Sequence, residues 1–148
     1  MSIRIGTTEQ RVAVAREFVA QVFNGHDPGR ARDFFTADAK WHGGALGTLV
    51  GSDNIVGLLT GFIGALPDIR AEVQDVIASE DLVAVRLVVS ATQTGDVLGI
   101  PATGRSVRWD AVDIYRITDS GKISEQWAFE DVAAILGQLG AVTLPWAR

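Results

Sequence analysis

Apolar residues recur at three- and four-residue spacing in the first part of the chain, which is the period of an amphipathic helix. Thr7 and Gln10 have the spacing of a capping box, and the apolar stripe after them predicts a first helix that ends near Phe23. Asp27 and Pro28 are the residue types of a helix cap and a first turn, so they predict a second, short helix.

A third helix is predicted after a short strand and a glycine-rich loop. Residues 37–42 form the expected strand, and the four glycines between 43 and 51 indicate a loop without regular structure. Ser52 is predicted to cap the third helix. Its apolar face consists of Ile55, Leu58, Leu59, Phe62 and Ile63. Three glycines on this helix each lower its stability by up to about 1 kcal/mol. Either packing against the rest of the protein stabilises the helix, or the glycines leave space beside it for another group.

The period changes to alternation in the second half of the chain. The segments 69–77, 82–94, 107–117 and 122–129 are predicted as strands, and Asp131 is expected to cap a last helix. The connections within 82–129 are too short for crossover helices, which favours antiparallel pairing in sequence order. The prediction is one α+β domain over residues 1–148. A curved antiparallel sheet, with the N-terminal helices packed on its concave face, forms a cone with an internal cavity.

Composition narrows the classes of function. The 148 residues are 47% hydrophobic, enough for one core, and carry a net charge of -5 without a basic face, so neither nucleic acid nor membrane is an expected partner. No apolar run approaches the roughly 20 residues of a membrane span and no signal peptide is evident, so a cytoplasmic protein is expected. The chain has no cysteine and only two histidines, His26 and His42, so no metal site is expected.

Asp113 is the strongest candidate for chemistry. Alternation along 107–117 places it on the face predicted to be interior, together with Trp109, Ala111, Tyr115 and Ile117. Burial of a carboxylate among such residues raises its pKa toward neutrality, which suits a general acid or base. The structural alternative is an ion pair with Arg86, Arg105 or Arg116. Asp110 falls on the opposite face and is expected to be solvated or paired across strands.

Other candidates are less sharply defined. On the last strand, either the alternate residues that include Gln126 or those that include Trp127 could face the cavity. The side-chain amide of Gln126 suits the orientation of a carbonyl or hydroxyl ligand, and the alternative is an ordinary amide of the sheet. His42 precedes the glycine loop, where it could shuttle a proton at the cavity mouth or be an inert surface group. The aromatic candidates for ligand stacking, which could equally be core, are Trp41, Phe62, Trp109, Tyr115 and Trp127.

Sequence motifs along nearly the whole chain resemble a known family. The C-terminal run GIPATGRSVRWDAVDIYRITDSGKISEQWAFED, followed by LGQLG, is similar to the signature of SnoaL-like polyketide cyclases, in the nuclear transport factor 2-like superfamily. The earlier segments NGHDPGRARDFFTADAKWH, GSDNIVGLL and LPDIRAEVQDVIASEDLVAVRLVVSATQTG fit the same family. The resemblance implies the cone fold strongly and the chemistry weakly, because the superfamily hosts cyclases, hydroxylase components, epoxide hydrolases, isomerases and proteins that only bind.

The resemblance also implies site residues, and several depart from the family pattern. The cyclases carry a catalytic carboxylate just after the tryptophan of the last strand, and Ala128 stands there. Three positions that are often histidine in the cyclases are Asp113, Gln126 and Gln93 here. These departures argue against the standard cyclase mechanism. They are closer to the hydroxylase branch of the family, or to an enzyme whose acid/base function has moved to Asp113.

The epoxide hydrolases of the superfamily use an arginine and two aspartates. The paired arginine and aspartate before the TGR turn are missing, since Val97 and Gly99 stand there.

The leading hypothesis is a small enzyme of polyketide-type secondary metabolism, without a cofactor, that closes a ring by an intramolecular aldol reaction. Its substrate is expected to be an apolar, polycyclic or aromatic ketone, with Asp113 as the base and with Gln126 and His42 holding the enolate. The alternatives are a hydroxylase acting with oxygen on an anthracycline-like substrate, and a ligand-binding module without catalysis. The resemblance also implies a homodimer or larger homo-oligomer formed through the outer face of the sheet, which carries Val112 and Ile114.

Overall fold

A computed structural model describes residues 7–146 of the chain, in which helices precede most of a six-stranded sheet. The α-helices are α1 (Thr8–Phe18), α2 (Ala31–Phe34), α3 (Ser52–Ala65) and α4 (Val132–Gln138). The π-helical segment Val19–Asn24 continues α1, and short 3-10 turns cover Pro28–Arg30 and Gly44–Leu46. The strands are β1 (Phe35–His42), β2 (Thr48–Val50), β3 (Arg70–Ser79), β4 (Leu82–Thr92), β5 (Ser106–Ile117) and β6 (Ile123–Glu130).

The strands form one sheet in the order β2-β1-β6-β5-β4-β3. The predicted antiparallel pairing of β3, β4, β5 and β6 in sequence order is confirmed. β1 differs, because it pairs with β6 in the parallel direction and brings β2 to the edge of the sheet. Shifts of register within the β3–β4, β5–β6 and β1–β6 pairs are irregularities of the kind that bends strands. The sheet is accordingly curved and does not close.

The helices pack on the concave side, and this confirms the predicted α+β class. The first helix lies against β3 and β4, while α3 lies against β1 at the other side of the sheet. Phe18 of α1 is fully buried and makes edge-to-face contacts with Phe35 and Tyr115. The interior face predicted for β5 is confirmed, since Trp109, Ala111, Asp113, Tyr115 and Ile117 are all buried.

Both predicted caps at the ends of the chain are confirmed. Thr7 and Gln10 form the capping box of α1, and the Asp131 side chain accepts a hydrogen bond from the Ala134 amide at the start of α4. The predicted cap of α3 was wrong. Ser52 is the first helical residue, and Gly51 occupies the cap position with no side-chain hydrogen bond. Its φ of 98° lies in the left-handed region that favours glycine.

The glycine-rich segment between residues 43 and 51 is more regular than the sequence suggests. The Gly43 amide donates to the Gly47 carbonyl at 2.8 Å, and the Gly51 amide donates to the Ala39 carbonyl at 2.8 Å. These bonds fold the segment back on β1, so that β2 forms where a loop was expected. The turn Gly44–Leu46 brings Leu46 into the wall of an interior cavity.

No helix within residues 7–146 combines the length and apolar character that crossing a membrane requires.

Candidate active site

A cavity of about 190 Å³ lies between α3, the inner faces of β5 and β6, and the loops at the open end of the sheet. Eight of its lining residues are apolar or aromatic: Phe23, Trp41, Leu46, Leu58, Leu59, Phe62, Leu98 and Ala128. Its polar lining consists of Asp113, Gln126 and Glu130. No lysine, arginine or histidine of the described chain lines it. The cavity therefore suits an apolar ligand that carries a few hydrogen-bonding groups and no negative charge.

Asp113 lies in the middle of β5, opposite Val85 on one side and Ala128 on the other. It is only 3% exposed. Its Oδ2 accepts a long hydrogen bond of 3.3 Å from the Tyr115 hydroxyl, and its Oδ1 has no hydrogen-bond partner among residues 7–146. A buried carboxyl oxygen without a protein partner is uncommon, which makes Asp113 a candidate contact for a ligand.

The arginine pair that was the structural alternative for Asp113 is not formed. Arg86 binds Asp75 at 2.7 Å and Arg116 binds Asp81 at 3.0 Å, both on the outer face of the sheet. Arg105 donates to the Gln138 carbonyl at 3.2 Å. Asp113 thus remains without a counterion in the part of the chain that the structure describes.

Glu130 is a second carboxyl group of the cavity, and sequence reasoning did not single it out. It lies at the end of β6, opposite Ala111, and is therefore the diagonal neighbour of Asp113 on the same face of the sheet. Its Oε2 accepts a hydrogen bond of 2.5 Å from the Trp109 indole N–H. The alternation of residues along β6 indicates which side chains share a face with Glu130. The sequence alone does not show which face of β6 points into the cavity.

A smaller cavity of about 10 Å³ shares Asp113 and Glu130 with the main cavity. The rest of its wall is formed by Trp109, by Ile69 just before β3, by the apolar residues Ala71, Leu87 and Val89 of β3 and β4, and by Phe23 and Phe62. Both carboxyl groups thus face the same apolar interior from adjacent strands.

The environment shifts the pKa values of both carboxyl groups in the same direction. Burial raises the pKa of Asp113 well above its usual value, and the nearby Glu130 charge raises it further, against a lowering by the Tyr115 hydrogen bond. Burial also raises the pKa of Glu130, while the Trp109 hydrogen bond lowers it. Burial followed by the Asp113 charge raises the pKa of the Tyr115 hydroxyl, which therefore stays protonated and donates. Two like charges in one apolar site disfavour each other, so the pair favours a state with one proton.

Gln126, Trp41 and Phe62, three of the candidate substrate-binding residues, lie in the wall of the main cavity. Gln126 is only 4% exposed and sits between Trp41 of β1 and Tyr115 of β5 in the strand register. No side-chain hydrogen bond of Gln126 is made within residues 7–146, so its amide is available to a ligand. Trp109 lines the smaller cavity and binds Glu130.

His42 does not reach the cavity. Trp41 points inward, so its neighbour on β1 points to the outer face. There, His42 Nε2 lies 2.6 Å from the Glu125 carboxylate, and the imidazole stacks on Trp127 with 5.4 Å between ring centroids. The expected contact of His42 with an enolate is not available in this geometry, and Trp127 likewise belongs to the outer face.

Gln93 and Tyr115 are buried, but neither lines the main cavity. The Gln93 amide donates to the Ile100 carbonyl at 2.9 Å and accepts from the Thr103 hydroxyl at 2.6 Å, so it holds the loop that carries Leu98 into the cavity wall. The expected contact of Gln93 with substrate is replaced by this support of the loop. Tyr115 packs against Phe18 and reaches the site only through its hydroxyl, which binds Asp113.

Comparisons with known proteins agree with this geometry. AclR, a proposed hydroxylase from Streptomyces galilaeus, is 30% identical; the match covers 95% of this chain and 87% of AclR, with a TM-score of 0.82. IdmH, a proposed polyketide cyclase from Streptomyces antibioticus, is 27% identical over 88% of this chain and 99% of its own, with a TM-score of 0.75. A proposed SnoaL-like polyketide cyclase from Jannaschia sp. CCS1 has a TM-score of 0.85 at 19% identity, covering 95% of this chain and 98% of its own.

No curated protein matches the chain in sequence. The model of one family, described as SnoaL-like polyketide cyclase, matches residues 13–139. This match spans most of the chain and agrees with the curved sheet, the helices on its concave side and the cavity between them. The chain therefore belongs to the SnoaL-like polyketide cyclase family.

Proposed function

We propose that the protein is an enzyme that catalyses cofactor-independent acid/base chemistry on an apolar, ketone-bearing substrate, and that the reaction is an intramolecular aldol closure of polyketide type. The observation that carries the proposal is the unpaired Oδ1 of Asp113 in the wall of an apolar cavity of about 190 Å³. Burial raises the pKa of this carboxyl group well above its usual value, and a carboxyl group with a raised pKa suits the proton transfers that enolisation of a ketone requires.

The cavity wall supports the proposed substrate class. Its aromatic side chains, Trp41, Phe23 and Phe62, offer flat apolar surface to a ring system. The free amide of Gln126 can donate to a carbonyl oxygen of the substrate. Because both charged groups of the wall are carboxyls, a ligand carrying a carboxylate would be repelled.

Proton exchange of a simple ketone tests the proposal without knowledge of the natural substrate. 2-Tetralone, an apolar bicyclic ketone, is incubated with the protein in D2O, and loss of its α-proton signals is followed by NMR. The protein is expected to accelerate the exchange, and Asp113→Val, which replaces the carboxyl group by a small apolar side chain, is expected to reduce that acceleration by about 10²- to 10³-fold.

Asp110→Val is the matched control, because Asp110 lies on the same strand and on the opposite face. It should exchange 2-tetralone at the wild-type rate. Equal rates for wild type and a folded Asp113→Val variant would remove Asp113 from the reaction.

A hydroxylase is the second candidate, favoured by the 30% identity to AclR and by Ala128 at the position where the cyclases carry a carboxylate. In this reaction the enolate combines with O2, one oxygen atom enters the substrate, and an external two-electron reductant converts the other to water. Assays of a candidate substrate with and without oxygen separate the two functions. Aldol closure proceeds at the same rate in both, whereas hydroxylation stops in the absence of oxygen.

A further inference from the structure

We propose that the two carboxyl groups of the cavity have separate roles: Glu130 is the base that takes a proton from carbon, and Asp113 is the acid that gives a proton to the carbonyl oxygen. This division of labour rests on the proposed function and reverses the role that the sequence suggests for Asp113. It also assigns a catalytic role to Glu130, which stands two residues beyond Ala128 on the same face of β6.

Burial separates the two groups. Asp113 lies in the centre of the sheet at 3% exposure, whereas Glu130 ends β6, where part of its side chain meets solvent although its carboxyl group is mostly buried. Ionisation of a carboxyl group costs more free energy where less water reaches it. The single proton of the pair is therefore held by Asp113, and Glu130 carries the negative charge.

The hydrogen bonds of the two carboxyl groups also favour a proton on Asp113 and a negative charge on Glu130. The Trp109 indole N–H donates to Glu130 at 2.5 Å, and a short bond from a donor-only group stabilises a carboxylate. The Tyr115 hydroxyl donates to Asp113 at 3.3 Å, which is a much weaker contact. Asp113 Oδ1, the oxygen without a partner, is free to carry the proton and to present it to a ligand.

The positions fit a ketone substrate. On adjacent antiparallel strands, diagonal positions on one face are about 7–8 Å apart at the backbone, within reach of a single small molecule. Asp113 and Glu130 have this relation, and both line the main cavity. A ketone that places its carbonyl oxygen at Asp113 can therefore direct the adjacent carbon toward Glu130.

The proton balance closes over an aldol reaction. Glu130 takes the α-proton, the C–H electron pair forms the C=C bond, and the carbonyl oxygen takes the proton of Asp113. The enol carbon then attacks a second carbonyl of the same molecule; the enol O–H returns its proton to Asp113, and the new alkoxide takes the proton held by Glu130. One C–C bond forms, both carboxyl groups recover their starting states, and no oxidant is needed.

Two probes separate the roles. Exchange of 2-tetralone requires a base and benefits from an acid at oxygen. Elimination of 5-nitrobenzisoxazole requires only a base, because the C–H bond breaks as the N–O bond opens to a phenolate that leaves without protonation. Glu130→Gln is expected to lower the rates of both reactions by about 10²- to 10⁴-fold.

Replacement of Asp113 should affect the two probes differently. Asp113→Val is expected to lower ketone exchange by about 10²- to 10³-fold, the cost of losing a donor to a developing oxyanion, while elimination stays within about tenfold of wild type. Asp113→Asn keeps a hydrogen-bond donor and should recover part of the ketone exchange. Glu125→Gln is the control for Glu130→Gln, since Glu125 lies on the outer face of the same strand.

Failure of the proposed function and failure of the division of roles give different results. If wild type accelerates neither probe relative to the double variant Asp113→Val with Glu130→Gln, the proposed function falls. If Asp113→Val abolishes elimination while Glu130→Gln preserves it, the proposed function stands with the roles reversed. If every folded variant loses both reactions equally, or if Glu130→Gln loses neither, the division of roles is overturned.

Discussion

Asp113 carries a cost for folding at neutral pH, because its negative charge would have no counterion within the described chain. Its pKa in the unfolded chain is about 3.9 and burial raises the folded value, so the folded state holds more protons between these two values. The free energy of unfolding therefore falls as pH rises through this window. Each unit of elevation removes about 1.4 kcal/mol by the upper end of the window.

Asp113→Asn should remove this dependence, since the amide does not ionise. We expect the variant to match wild type in urea unfolding at pH 4 and to exceed it at pH 8, by about 1.4 kcal/mol for each unit of pKa elevation. Asp110→Asn, on the exposed outer face of the same strand, serves as a control for general carboxylate effects. A difference between Asp113→Asn and wild type that is the same at both pH values would show that Asp113 is not strained by ionisation.

The candidate site could be predicted from the sequence in part. Asp113 was found because the large apolar residues on its side of β5 identify the interior face. Glu130 was missed because β6 carries the large apolar residues Trp127 and Phe129 on its outer face. Hydrophobicity therefore did not show which face of the strand points to the interior. His42 was misplaced because its neighbour Trp41 was considered separately, although alternation allows only one of the two to face inward.

At the scale of single elements, α3 lines the cavity although its own sequence has a low helix propensity. Ile55, Leu59 and Ile63 are buried in the core, while Leu58 and Phe62 face the cavity. Its three interior glycines are exposed, and a methyl group added at any of them would have no neighbouring atom within 4 Å. The glycines therefore do not serve packing in the described chain.

Gly61→Ala should stabilise the protein, because alanine reduces the conformational freedom of the unfolded chain and adds no clash. The expected gain is about 0.5–1 kcal/mol in the free energy of unfolding, measured by urea denaturation. Gly43→Ala is the contrasting variant, since an added Cβ would lie 2.3 Å from the Trp41 ring, and it should destabilise. A loss of stability in Gly61→Ala would mean that the outer side of α3 is covered.

The sequence predicted the element types and the antiparallel pairing of the last four strands, but not the pairing of β1 and β2 or the paths of the loops. Period and caps located the helices and the long strands, because these are local properties. The parallel pairing of β1 with β6 joins residues at least 85 positions apart in the sequence, such as Trp41 and Gln126, which no local pattern encodes. The role of Gln93 was hidden for a similar reason, since its partners depend on the path of the loop.

At the scale of the whole molecule, the outer face of the sheet is open and apolar at its centre. Phe129 is 53% exposed and lies opposite Val112, while Ile77 is 72% exposed at the β3 edge. Charged pairs, Asp75 with Arg86 and Arg116 with Glu125, flank these residues. We propose that a second copy of the chain covers this face in a homodimer.

Light scattering after gel filtration tests the dimer. Wild type is expected at twice the 15.8 kDa of the chain, and Phe129→Glu at the mass of one chain, because the new charge would be buried against the partner. Thr60→Glu on the exposed side of α3 should leave the mass unchanged. A wild-type protein that elutes as a monomer at micromolar concentration would contradict the dimer.

The most direct test of the account is the pKa of Asp113, measured by carbon-13 NMR titration of carboxyl-labelled protein. Asp113→Asn assigns the resonance, and no substrate is needed. We expect Asp113 to titrate well above the other aspartates, and its pKa to fall in Glu130→Gln, where the neighbouring charge is gone. A titration of Asp113 near 4, unchanged in Glu130→Gln, would contradict both the protonated Asp113 and the shared proton.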